Sequence, residues 1–279
     1  MADAYNIRTM EPNEVAFAVD LAAKEGWNPG IHDAACFYAA DPGGYFICEL
    51  ENRPIGCVSA VAYGQSFGFI GLYIVVPDMR GKGFGMKLWN KAMARLEGRN
   101  IGLDSVLVQQ DNYRKSGFRR AYKNMRRQTT AKGGPHPSAL PLDRFRFEEV
   151  AAYDRLYFPE QRDDFLKAWL AQSDSAAFGL DRGGSLAGYG VIRKCGLGWK
   201  IGPLFADDSS GAQELFNALT STVVGRTVFL DVPEPNSEAF ALSEKNSMTT
   251  VFETARMYTG PDPDITVNGI FGVTTFELG

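Results

Sequence analysis

The run Tyr73-Ile-Val-Val-Pro-Asp-Met-Arg80-Gly81-Lys82-Gly83-Phe84-Gly85-Met86 reads as a strand that turns through a glycine-rich loop into a helix. The loop is where chemistry enters. Its glycines carry no β-carbon, so backbone N–H groups can turn inward and come close to a ligand, and the helix behind them presents the positive end of its dipole. Arg80 and Lys82 stand beside these amides and can add charge-assisted bonds to phosphates. Such a set suits a pyrophosphate. The spacing is neither the G-x-x-x-x-G-K-S/T of nucleoside triphosphate loops nor the G-x-G-x-x-G of dinucleotide folds. Imidazole chemistry is restricted to two histidines, His32 and His136, which makes a histidine metal cluster or a Ser-His-Asp triad hard to build. No metal site is expected. Cys36, Cys48, Cys57 and Cys195 show no C-x-x-C spacing and read as buried reduced thiols.

Arg80-x-x-Gly83-x-Gly85 resembles the acetyl-CoA signature of the GNAT superfamily, Q/R-x-x-G-x-G/A, and Tyr113-Arg-Lys-Ser-Gly117-Phe118 is similar to the Y-x-K-x-G-F run near the end of GNAT domains. The resemblance implies acetyl-CoA as acyl donor. It implies pantetheine contacts at Tyr73, Ile74 and Val75, and pyrophosphate contacts at Arg80, Gly81, Lys82, Gly83, Phe84 and Gly85, with Met86 at the helix start. It also places Tyr113 near the cofactor sulfur as general acid, since a phenol with a pKa of ~10 is protonated at neutral pH. The family's N-x-x-A turn is missing between Val108 and Tyr113, where Asn112 is the candidate replacement.

An amine must lose a proton before it attacks a thioester. Glu25, or a water that it orders, is the candidate base, and Trp27 and Asn28 in the adjoining Pro-Gly loop are the candidate acceptor surface. A Trp27 that anchors the loop in the core is the plainer alternative. Asp33, which recurs as Asp163, reads as a helix cap; Asp104, which recurs as Asp231, reads as structural; Glu49 reads as a solvent-facing strand residue. The activity implied is transfer of an acetyl group to the primary amine of a small molecule, by direct attack in a ternary complex. The alternative is a non-catalytic acyl-CoA or metabolite sensor.

The elements that must position these residues follow the hydrophobic pattern. Residues 5–9 alternate as a strand, and Val15, Val19 and Ala22 recur at helical spacing behind a candidate cap, Asn13. A short helix over Asp33–Ala40, three strands joined by turns at Glu51–Pro54 and Tyr63–Ser66, the loop and its helix, and a strand near Leu103–Val108 complete an α/β domain. Gly, Pro and Ser cluster between Thr129 and Asp143, and beyond them the pattern returns. Phe46 and Gly56 are answered by Phe178 and Gly188, Trp27-x-Pro29-x-x-x-Asp33 by Tyr157-x-Pro159-x-x-x-Asp163, Leu103-Asp104 by Leu230-Asp231, and Tyr122 with Arg126 by Phe252 with Arg256, at offsets of 127 to 132. Four matches in one order argue for a tandem duplication. The expectation is two GNAT folds, each a mixed, mostly antiparallel sheet flanked by helices: 1–130 with the acetyl-CoA site, 131–143 as linker, and 144–279 as a degenerate copy.

In that copy the loop Pro203–Gly211 has no arginine, and Asp207 and Asp208 would repel a pyrophosphate. Asn236-x-x-Ala239 is kept, but the tyrosine position is Ser243. One cofactor per chain is expected, with the second half shaping the substrate pocket or a homodimer interface. Lys and Arg total 29 against 33 Asp and Glu, a net charge of −4, which disfavours attraction to nucleic acid or acidic membranes. The start of the chain lacks a signal-peptide pattern, no window carries the ~18 apolar residues of a spanning helix, and a cytoplasmic location is expected.

Overall fold

A computed structural model describes residues 5–279. The first half runs β1 (Tyr5–Thr9), α1 (Val15–Lys24), α2 (Asp33–Ala40), β2 (Tyr45–Leu50), β3 (Arg53–Tyr63), β4 (Phe67–Val75), α3 (Phe84–Arg95), β5 (Asn100–Val106), α4 (Gln110–Lys115) and β6 (Arg119–Thr130). The second half repeats the order with β7 (Ala139–Pro141), α5 (Phe147–Asp154), α6 (Asp163–Ala171), β8 (Ser175–Arg182), β9 (Ser185–Lys194), β10 (Trp199–Ala206), α7 (Ser209–Ser221), β11 (Thr227–Pro233), α8 (Ser237–Lys245), β12 (Thr249–Tyr258) and β13 (Ile270–Gly272). The short strand β7 falls inside the segment 131–143 and pairs antiparallel with β8.

Strand order shows how the halves combine. The sheet reads β1-β2-β3-β4-β5-β12-β6-β11-β10-β9-β8-β7, with β13 beside β10. Only β4 with β5 and β10 with β11 run parallel among the described pairs, so the sheet is mixed and mostly antiparallel. Strand β12 of the second half lies between β5 and β6 of the first, and β6 pairs in turn with β11 of the second. Each half thus lends its last long strand to the other, and two expected sheets become one of 13 strands.

Two buried ion pairs sit on this exchange. Asp104 of β5 faces Arg256 of β12 in register and accepts two guanidinium bonds at 3.0 and 2.7 Å. Asp231 of β11 faces Arg126 of β6 and accepts two bonds at 2.7 and 2.8 Å. The repeats Asp104/Asp231 and Arg126/Arg256 are therefore the two ends of reciprocal crossings. Removing one partner leaves a buried charge without compensation, which costs about 3–5 kcal/mol, whereas an apolar replacement of both can be neutral. Asp231→Ala is expected to lower the free energy of urea unfolding by about that amount, and Asp231→Leu with Arg126→Met to recover most of it. A loss below about 1 kcal/mol in the single variant would show the crossing to be held by backbone pairing alone.

Helices α1, α2, α5 and α6 share one core on one face of the sheet, where Phe37 of α2 stacks on Trp169 of α6 with ring centroids 6.4 Å apart. Helix α3 covers the other face over the first half, and α7 and α8 cover it over the second. All four cysteines are buried and free.

Several local expectations are corrected. Asn13 does not cap α1; it lies in a short 3-10 turn, Pro12–Glu14, closed by the Glu14 carboxylate accepting the Glu11 N–H at 2.8 Å. Asp33 begins α2, but its carboxylate accepts the Gly30 N–H at 2.7 Å and pairs with the buried Arg193 of β9, so it fastens one half to the other. Glu49 does not face solvent freely, because Arg8 on the neighbouring strand binds both it and Glu14.

Candidate active site

Strands β4 and β5 pair from Phe67/Asn100 to Ile70/Leu103 and then part. A bulge follows at once: Ser59 faces Gly71 and Cys57 faces Ile74, so Leu72 and Tyr73 share one partner, and Leu72 takes a positive φ of 47°. Bulges bend the strand that carries them. The parted strands open a cavity of about 410 Å³, lined by β4 from Ile70 to Val75, by Leu103, Asp104 and Val106 of β5, and by the loop at Arg80, Gly81 and Gly85.

The loop's geometry fits a phosphate ligand. Gly81 and Gly83 have φ of 75° and 85°, and a β-carbon on either would meet nothing within 4 Å, so open space lies in front of them. Gly83 is the N-cap of α3, and no side chain caps that helix, which leaves its first N–H groups for a ligand. Arg80 lines the cavity, donates from Nε to the Val75 carbonyl at 2.8 Å and pairs with the Glu25 carboxylate. Lys82 is exposed beside Met79, Phe84 is buried in the core, and Met86 points to solvent at 61% exposure. None of Lys82, Gly83, Phe84 or Met86 lines the cavity itself, while Tyr73, Ile74 and Val75 do.

Tyr113 of α4 lines the same cavity, its ring packed 5.2 Å from Trp89 and 6.2 Å from Phe118. Burial disfavours the phenolate and pushes its pKa above the ordinary range, so the hydroxyl keeps its proton. Asn112 is exposed and donates to Gln109 at 2.7 Å, outside the cavity lining. Glu25 and Trp27 line the cavity. Asn28 does not: its amide bonds both ways with the Leu197 backbone (2.9 and 2.8 Å), and its carbonyl accepts from Lys200 at 2.7 Å, so it joins the halves.

Part of the lining comes from residues that sequence reasoning did not single out for the site: Phe252 and Thr254 on β12, and Phe276 and Glu277 after β13. Asp104, read as structural, also lines it while bound to Arg256 and Asn124. No local motif marks this wall, because β12 reaches the cavity through strand exchange and the segment after β13 reaches it by packing against Gly71.

The corresponding loop of the second half is closed on itself. Asp208 caps α7 by accepting the Gly211 N–H at 2.8 Å and pairs with Arg182, and Asp207 accepts the Tyr153 hydroxyl at 2.7 Å. Asn236 caps α8 and donates to the Asn268 and Ile270 carbonyls, which fixes β13.

Splayed parallel strands, a bulge, a glycine loop at a helix start and a tyrosine beside the cleft define an acyl-CoA binding fold. Residues 7–121 match the Acetyltransferase (GNAT) family and residues 150–272 match an Acetyltransferase (GNAT) domain, so the chain belongs to the GNAT acetyltransferases in tandem form. It is an acyl-CoA N-acyltransferase. It is 28% identical over 267 residues to the holothin acyltransferase of a Pseudoalteromonas species, covering 93% of this chain and 90% of that one. It is 25% identical over 235 residues to YitH, an uncharacterized N-acetyltransferase of Bacillus subtilis, covering 82% of each. A solved protein of Pyrococcus horikoshii shares the fold with a TM-score of 0.85 at 19% identity, over 100% of this chain and 97% of that one. A tandem GNAT protein from the clavulanic acid biosynthesis pathway does so with a TM-score of 0.64 at 14% identity, over 93% and 100%. Among the described residues no helix is long and apolar enough to cross a membrane.

Proposed function

We propose that the chain transfers an acetyl group from acetyl-CoA to the primary amine of a small molecule, with donor and acceptor bound together in the first-half cavity. The observation that carries this is the continuity of the cavity: one space of about 410 Å³ touches the loop at Arg80–Gly81, the bulged β4, Tyr113 and the aromatic residues Trp27, Phe252 and Phe276. Bound acetyl-CoA supplies the acyl group on a thiol that can leave. Gly81, Gly83 and the start of α3 offer N–H groups to the pyrophosphate, Arg80 adds a guanidinium, and the edge of β4 freed from β5 offers peptide groups to the pantetheine arm. Tyr113 holds a proton at the cavity wall and delivers it to the departing sulfur. The holothin acyltransferase relative supports an acceptor of metabolite size.

The test is CoA release, followed by thiol titration, when the protein is given acetyl-CoA and a set of primary amines. Release that depends on the amine, with the acetylated amine as co-product, is the expected result. Tight binding of acetyl-CoA without release from any amine would instead fit a sensor.

A further inference from the structure

The described carboxylates that line the cavity are Glu25, Asp104 and Glu277. Two are engaged: Glu25 is bonded to Arg80, and Asp104 holds Arg256 and Asn124. Glu277 has no cationic group within 4.0 Å among the described residues; its carboxylate is hydrogen-bonded to the Thr275 hydroxyl, which also accepts the Glu277 N–H at 3.0 Å. Its position is fixed by close backbone packing. A β-carbon on Gly71 would come within 2.0 Å of the Glu277 carbonyl, so the bulge of β4 accepts this segment only because position 71 is glycine.

Three buried basic side chains lie within electrostatic reach of Glu277. Arg126, Arg193 and Lys200 are all buried and all feel its negative charge. Arg126 and Arg193 have their own partners in Asp231 and Asp33, but Lys200 bonds only a carbonyl, that of Asn28, among the described residues. Burial and the neighbouring Arg126 pull the Lys200 ammonium below its ordinary range, and Glu277 is among the acidic groups that oppose this. The same cavity is lined by three aromatic residues, Trp27, Phe252 and Phe276, the latter two with centroids 6.5 Å apart and the Arg126 guanidinium near one face of each.

Resting on the acetyl-transfer reading above, we propose that Glu277, brought in by the second half, is the catalytic base for the acceptor, and that the acceptor is a primary ammonium on a flat apolar body held by Trp27, Phe252 and Phe276. Glu277 receives the ammonium and takes one N–H proton. The freed lone pair attacks the carbonyl carbon and forms the N–C bond as the thioester C–S bond breaks and Tyr113 donates its proton to the sulfur. The acylated nitrogen then gives up its second N–H proton, which returns through water to Tyr113, and Glu277 passes the first proton to solvent, leaving the amide, the CoA thiol and one released proton. The second half, whose own loop is closed by Asp208 and Arg182, thereby supplies the acceptor side of the first half's site.

The test uses the full chain, acetyl-CoA, and three probes: phenethylamine, n-pentylamine and phenylalanine. The wild type is expected to release CoA fastest with phenethylamine, because pentylamine lacks the flat ring and the carboxylate of phenylalanine would meet Glu277. Glu277→Gln is expected to slow release with phenethylamine by at least about tenfold while the acetyl-CoA dissociation constant changes by less than about twofold. Glu277→Asp keeps the charge of the buried group and withdraws the carboxylate by one methylene; it guards against a folding defect and is also expected to lose rate. Wild-type rates in either variant would overturn the base assignment and leave acetyl transfer standing. Equal rates with phenethylamine and pentylamine would overturn the flat acceptor. A wild type that binds acetyl-CoA and releases CoA with none of the three would overturn both the acetyl-transfer reading and this one.

Discussion

Gly83→Val is expected to remove acyl-CoA binding from the chain, with at least about a 100-fold rise in the dissociation constant if two charge-assisted phosphate bonds are lost. The residue caps α3 at a φ of 85°, a conformation that a β-branched residue avoids, and its open front is where a valine side chain would stand. Both effects fall on the same N–H groups. Gly83 is exposed and packs against nothing, so the backbone strain of about 1–3 kcal/mol is the main cost to stability, and the variant should stay folded while unfolding a few degrees below the wild type. Calorimetry of the wild type should give one cofactor per chain, because Asp208 and Arg182 close the other loop. Two cofactors per chain, or undiminished binding in the variant, would refute the assignment.

Tyr113→Phe is expected to lower turnover by about 100-fold while leaving acetyl-CoA affinity nearly unchanged. The ring packs against Trp89 and Phe118, and phenylalanine preserves those contacts, so the substitution isolates the hydroxyl. Burial raises the Tyr113 pKa, and the sign follows: the proton stays on through neutral pH and past the ordinary phenol range, so Tyr113 should impose no alkaline loss of turnover below about pH 10. Weakened binding with unchanged turnover would assign Tyr113 to packing alone. An alkaline limb near pH 8 that vanishes in the variant would show that the burial argument fails.

What could be seen in the sequence was what depends on neighbours along the chain. The tandem GNAT fold follows from strand, loop and helix signals that act over a few residues, and from matches such as Leu103-Asp104 with Leu230-Asp231. The loop itself is local too, because a positive φ selects glycine wherever it occurs. The exchange of β6 and β12 was not visible. Both strands carry an arginine at equivalent positions, and Asp104 and Asp231 are equivalent too, so the residues that pair across the sheet as Arg126 with Asp231 and Arg256 with Asp104 would suit the uncrossed arrangement equally well. The recurring carboxylates looked structural, which their ion pairs explain, yet Asp104 reaches the cavity from the same position. Asn28 illustrates the opposite problem. A polar residue in a Pro-Gly loop looks available to a ligand, but its amide is taken by Leu197, 169 residues away. Phe252, Phe276 and Glu277 carry no motif because their role depends on which half they reach.

The crossing of β6 and β12 also changes the reaction order of assembly. If two separate single-domain proteins traded the same strands, the wall bearing Phe252 and Glu277 would form only after a bimolecular encounter, and the fraction of complete sites would rise and fall with protein concentration. Here the segment between β6 and β7 ties the two halves together, so closure is unimolecular and governed by an effective concentration that short tethers hold near the millimolar range. Dilution that would dismantle a swapped pair leaves this cavity whole. A catalyst built in this way keeps constant specific activity from nanomolar to micromolar concentrations, and the same covalent tie prevents either half from being replaced by a differently specialised partner.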